Sequence, residues 1–168
     1  MTISMYDASV AVFAARLKAL GGVLKEGEQN AAERKIDPSV FLNARLAPDM
    51  FTLTRQVQIA TDHAKGAPAR LSGRDPLKLE DKEASFTELQ ARIEKVQEYL
   101  KTFSPADIDG SEDRKITLKL GGRDTDFPGL QYLLHFAVPN FYFHVTTAYD
   151  ILRHNGVPLG KTDFFGRG

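Results

Sequence analysis

The chain of 168 residues contains no cysteine. Disulfides, thiolate nucleophiles and cysteine metal sites are excluded together. Net charge is also missing, because 22 basic residues are matched by 22 acidic ones. No basic block carries interleaved aromatic residues, so nucleic acid is not an expected partner. No apolar run has the length of a membrane span, and no membrane partner is expected. The start, Met1 to Asp7, lacks the basic residues and apolar run of a signal peptide, and a cytoplasmic protein is the expectation. No glycine-rich dinucleotide motif follows a strand, and no nucleophile elbow is present. Gly156 to Thr162 approaches a phosphate-binding loop and fails it. The spacing is one residue short, Asn155 stands where the first glycine belongs, and the segment follows a helix.

What is present is helical periodicity over one domain, residues 1–168. The most apolar stretch, Asp126 to Gly156, reads as a long last helix. Asp126 is its expected cap, Pro128 lies in its first turn, and Gly156 with Pro158 ends it. Pro139 lies inside and is expected to kink or split it. Leu130, Leu133, Leu134, Ala137, Phe141, Val145, Ala148 and Leu152 recur at helical spacing, and five further apolar residues widen the face. A helix apolar on most sides is central or pairs with a second subunit.

Three earlier helices are expected. The first runs from Ser4 to about Leu24, with Lys25 to Lys35 as a solvated end or loop. The second opens at Asp37-Pro38, is interrupted at Pro48, is recapped by Asp49 and ends at Gly66. Ala67 to Asp81 reads as a loop. The third runs from Phe86 to about Phe103 behind a Ser85/Glu88 capping box. Ile116 to Leu120 alternates apolar and polar residues, Gly121-Gly122 suits a tight turn, and Arg123 to Thr125 can pair back. The tail after Gly156 is expected to fold back through Leu159, Phe164 and Phe165. The fold class is therefore all-α, a four-helix bundle with a small β-hairpin between helices three and four.

Polar residues on apolar helices mark the candidate site. Asn140 and His144 are four apart, about 40° on one helix face. His135 and His144 are nine apart and lie on opposite faces of a straight helix, and His154 sits at the helix end, where the dipole favours an imidazole. Asp49, Gln56 and His63 are spaced by seven and line one face of the second helix. Bundles build ligand and metal sites from side chains on facing helices. Gln56, His63, Asn140, Tyr142 and His144 are accordingly the candidate ligand-binding residues. A solvated stripe and satisfied core histidines are the plainer alternative. The apolar, aromatic surface of the last helix suits a third role, a dimerisation module.

Ala44 to Met50, the run from Gln56 to His63, Pro139 to His144, and Arg153 to Gly156 with Gly160 to Phe164 resemble a bacterial and fungal domain-of-unknown-function family in the DinB/YfiT-like four-helix-bundle metalloenzyme superfamily. The resemblance covers essentially the whole chain and implies a four-helix bundle, often a homodimer. It also implies a divalent ion, zinc or nickel, held by one histidine of the second helix and two of the fourth, and a thiol-dependent transferase or hydrolase type of activity. His144 matches the last ligand. Asn140 stands where the other fourth-helix histidine is expected, and Gln56 or His63 takes the second-helix place. The implied metal set is His63, His144 and Asn140. A carboxamide is a poor zinc or nickel ligand, so a small-molecule site with an incomplete metal set is the expectation.

Overall fold

The computed structural model describes residues 3–166. Helix α1, Val12–Glu33, is entered through a π-helical turn at Asp7–Ala11. It runs past the stop expected near Leu24, because its inner face continues through small residues. Gly27 and Ala31 are buried there, while Lys25, Glu26 and Gln29 face solvent. A Cβ on Gly27 would meet both terminal methyls of Leu152 at 3.0 Å, so the glycine permits a close helix approach. Arg34 then donates to Asn30 Oδ1 at 3.0 Å and to the Asn155 carbonyl at 2.9 Å, which joins the ends of two helices.

Asp37 caps the short α2, Pro38–Leu42, by accepting from the Ser39 N–H at 2.8 Å. The next helix, α3 at Leu53–Ser72, is capped by Thr52 and not by Asp49. It passes through Gly66 and Pro68 and ends at Gly73, which takes a left-handed φ of 76°. The expected stop at Gly66 is thus corrected. Gly66 and Pro68 oppose the helix by propensity, but Ala64, Ala67, Ala69 and Leu71 are fully buried around them. Helix α4, Phe86–Leu100, starts as expected. Ser85 Oγ accepts from the Glu88 N–H at 3.2 Å, and the Glu88 carboxylate accepts from the Ala84 N–H at 2.6 Å. A single turn, α5 at Pro105–Ile108, follows.

Strands β1, Lys115–Leu120, and β2, Arg123–Pro128, form an antiparallel hairpin with Ile116 opposite Phe127 and Leu118 opposite Thr125. Gly121 and Gly122, at φ 55° and 82°, make the two-residue turn. Asp126 is therefore a strand residue and not a helix cap. It sits opposite Thr117, whose hydroxyl donates to it at 2.7 Å, and Lys115 Nζ lies 2.7 Å from its other oxygen.

The last rod is α6, Gly129–Tyr132, then a π-helical turn at Leu133–Ala137, then α7, Val138–His154. In the wide turn the Val138 N–H reaches back five residues to the Leu133 carbonyl. Pro139 follows directly, so the disturbance expected from this proline takes the form of a π-turn. The tail carries α8, Lys161–Phe164. Leu159 is buried and Phe164 packs edge-on to Tyr149 at 5.8 Å, as expected, while Phe165 remains 42% exposed.

The long helices contact one another in a ring: α1 on α4, α4 on α3, α3 on α7, and α7 on α1, with α3–α7 the most extensive pair. Phe13 of α1 meets Phe141 of α7 edge-on at 4.9 Å in the core. The described chain is thus mainly helical with one two-stranded hairpin. Among the described residues no helix is long and apolar enough to cross a membrane.

Two glycines give opposite expectations. A Cβ on Gly129, where the hairpin enters α6, would lie 2.0 Å from the Ser111 carbonyl oxygen, whereas one on Gly22 of α1 meets nothing within 4 Å. Gly129→Ala should lose about 3 kcal/mol, lowering the thermal midpoint by roughly 6–12 °C. Gly22→Ala should gain about 0.5–1 kcal/mol. Calorimetric midpoints for the two variants check the pair.

Candidate functional site

The Thr52 cap sets the register of α3 so that Gln56 faces α7. Gln56 is buried, and its Nε2 donates to the Phe51 carbonyl at 3.2 Å. A carbonyl only accepts, so the amide nitrogen must point there and Oε1 must point the other way. That oxygen lies 2.6 Å from His144 Nδ1. The Nδ1 atom therefore carries the proton, and in neutral His144 the lone pair is on Nε2. One glutamine thus orients an imidazole and selects its tautomer. Burial, then the charge of Arg55, holds the His144 pKa below its ordinary value.

His63 lies two turns along α3 from Gln56. Its ring is nearly parallel to that of His144, with centroids 6.1 Å apart and 13° between planes. Phe136, from the π-turn, meets it edge-on at 6.0 Å. Burial, and next the neighbouring His144, lowers the His63 pKa to about 4; Asp62 opposes this and Arg70 adds to it. Both imidazoles are neutral at pH 7.

His63 also lines a cleft of about 390 Å³ between α3, the hairpin and α6. Leu118, Leu120 and Phe136 supply apolar wall, and Asp62, Arg70, Tyr132 and Lys119 supply polar groups. Arg70 Nη1 lies 3.3 Å from the Tyr132 hydroxyl. Tyr132 is 1% exposed, and burial raises its pKa. Its ring stacks on Phe136 at 6.0 Å.

Of the candidate residues, Gln56, His63 and His144 are brought together. Asn140 turns back along its own helix, donating from Nδ2 to the Phe136 carbonyl at 2.7 Å. Tyr142 is half-buried and packs edge-on to Phe141 at 5.6 Å, on the side that meets α1. Asp49, His135 and His154 are exposed. Arg70, Tyr132 and Phe136 were not among the sequence candidates. Arg70 continues the seven-residue stripe of Gln56 and His63, but it lies beyond the expected helix stop.

The donors do not fit the zinc or nickel ion that the resemblance implies. Two imidazoles stack face to face, so their in-plane lone pairs do not converge, the Gln56 oxygen accepts from His144, and the Asn140 side chain is turned back along its own helix. Among the described residues no group of three or more histidine, aspartate or glutamate side chains is placed to hold a metal ion.

A family model described as a domain of unknown function, DUF1993, matches residues 5–165. The crystal structure of a DinB family member protein from Shewanella denitrificans is similar throughout. It is 43% identical, with a TM-score of 0.87, over 96% of this chain and 91% of that one. No curated protein matches at a significant level.

The depressed His63 pKa links stability to pH. Between pH 6.5 and about 4 the unfolded chain binds a proton that folded His63 does not. Its contribution is intact above pH 6.5 and is lost as the pH falls toward 4. At about 1.4 kcal/mol per unit the full loss is on the order of 3 kcal/mol, less the screening by water at the cleft mouth. Denaturant titrations at pH 7.5, 6, 5 and 4 should show this fall, and His63→Phe should flatten it. An identical slope in the variant would assign the acid sensitivity elsewhere.

Proposed function

On the premise that the chain belongs to the DUF1993 family of DinB-like proteins, we propose that it binds a small organic molecule in the cleft beside His63, without a resident metal. One observation carries this reading. A neutral imidazole, against His144 and Phe136, stands in the wall of a cleft that combines an apolar wall of Leu118, Leu120 and Phe136 with polar and charged groups. That mixture is what small-molecule sites present. The four long helices serve as the frame, and the Gln56–His144 pair serves as the brace that keeps His63 in place.

The pKa of His63 favours recognition over proton abstraction. A general base works best when its pKa lies near the working pH. At about 4, His63 is a weak base at neutral pH and a serviceable hydrogen-bond partner. The proposed role of His63 is therefore to accept or donate a hydrogen bond through a ring nitrogen at its edge.

A homodimer is a second, separate part of the proposal. Leu130, Leu134 and Phe143, at 38%, 45% and 56% exposure, are large apolar side chains left open along the last rod. Sedimentation at micromolar concentration reads this directly, and a monomer there removes it.

Ligand-observed NMR with a fragment library tests the site. Fragments that bind wild type should lose their signal in His63→Ala while the variant's amide spectrum stays folded. Calorimetry with zinc and nickel on untagged protein tests the metal-free part. One ion per chain held below micromolar, and lost in His144→Ala, would replace this reading with a metal centre.

A further inference from the structure

Arg70 is held in the cleft without a partner of opposite charge. None of the ion pairs among the described residues includes it. The carboxylate nearest to hand on its helix, Asp62, is already engaged. Its Oδ1 lies 2.9 Å from Arg92 Nη2 and 3.1 Å from Lys65 Nζ. An arginine presents five N–H donors in a fork, and the contact to Tyr132 uses one of them.

The position of Arg70 is built into the helix. A Cβ placed on Gly66 would lie 2.4 Å from Arg70 Nη1. The guanidinium therefore lies back over Gly66, one turn earlier, in the space that a side chain would fill. Gly66 is buried inside α3, where glycine is unfavourable relative to alanine. This close approach accounts for the residue. The Tyr132 hydroxyl meets the same Nη1, and its buried ring stacks on Phe136. The group is pre-oriented before any ligand arrives, which lowers the entropy lost on binding.

We propose that the cleft takes a small organic carboxylate, with Arg70 holding the acid group in its fork and Leu118, Leu120 and Phe136 covering an apolar body. The assignment deepens the small-molecule reading above and rests on it. A planar fork matches a carboxylate with two parallel hydrogen bonds. Lys119, on the hairpin edge of the same cleft, adds a second positive charge. The Asp62 charge on the same wall is offset by Arg92 and Lys65, so it does not oppose an anion. The lining apolar residues favour an acid with a ring or alkyl chain over a bare inorganic anion.

The test uses the full chain and three probes, phenylacetate, phenylacetamide and inorganic phosphate, followed by amide-detected NMR titration. Phenylacetate should shift the amides around Gly66, Arg70 and Leu118, with the amide analogue binding at least about tenfold more weakly, as expected for the loss of a charge-assisted pair. Arg70→Gln should abolish that preference. Gly66→Ala is the decisive variant. It retains Arg70 and improves helix propensity, so it should fold at least as well as wild type, yet it displaces the guanidinium and should weaken phenylacetate about as much as Arg70→Gln. Equal binding of phenylacetate and phenylacetamide at the cleft would overturn the carboxylate assignment and leave the small-molecule reading standing. Phosphate binding at Arg70 in preference to phenylacetate would overturn it in favour of an inorganic anion. No shift at the cleft with any probe, in a protein that also binds no library fragment, would remove both readings together.

Discussion

The packing of α3 against α7 is the constraint on which the rest of the molecule depends. An isolated helix with glycine and proline in its later half is opposed by about 1 and 3 kcal/mol at those two positions. It persists here because α3 lies between α4 and α7 and buries Val57, Ala60, Ala64, Ala67 and Leu71 completely. Small residues on that face let the neighbouring backbone come close, which increases dispersion contacts. If α3 stopped at Gly66, Arg70 would leave the cleft and Tyr132 would lose its partner. The continuity of one helix thus positions Gln56, His63 and Arg70 at successive intervals of seven residues along the same wall.

A second clamp holds α3 to α4. Arg92 of α4 is 2% exposed, and its donors are distributed over two segments. Nε donates to Thr61 Oγ1 at 2.6 Å and Nη2 to Asp62 at 2.9 Å, both on α3. Nη1 reaches the Glu80 carbonyl and the Glu83 carboxylate, each at 3.1 Å, with Asp81 at 3.0 Å. Arg55 adds an ion pair to Asp81. A buried guanidinium tolerates the loss of water only when its protons are matched, and here carboxylates and backbone oxygens match them. The connection from α3 to α4 is therefore held down, although its composition reads as an unstructured loop. The same network neutralises Asp62, which leaves the net charge in the cleft positive.

The candidate site consists of two layers. Gln56 and His144 form the inner layer, where a carbonyl sets the glutamine, the glutamine sets the tautomer, and the imidazole braces its neighbour. His63, Arg70, Tyr132 and Phe136 form the outer layer, which lines the cleft. This ordering accounts for the poor fit to a metal ion. The Gln56 oxygen instead accepts a hydrogen bond from the histidine beside it.

Local chemistry determined a good deal on its own. The caps at Asp37 and Ser85, the Gly121-Gly122 hairpin and the stop at Gly156 are all written in turn and capping residues that act within a few positions. The Gln56–His63 stripe and His144 were visible for the same reason, as polar residues at helical spacing on apolar segments. The resemblance quoted for those motifs pointed to DinB-like proteins, and the family match and the Shewanella denitrificans structure agree at that level. Only the tertiary structure decided the lengths of α1 and α3. Gly27 and Gly66 look like breaks until the partners that fill their missing side chains, Leu152 and Arg70, are in place. It likewise decided that Asp126 belongs to a strand, since the Thr117 and Lys115 that claim it are about ten residues away. Local signals report where a helix can start. Where it continues against its propensity depends on burial by distant residues, and so did the cleft that this continuation creates.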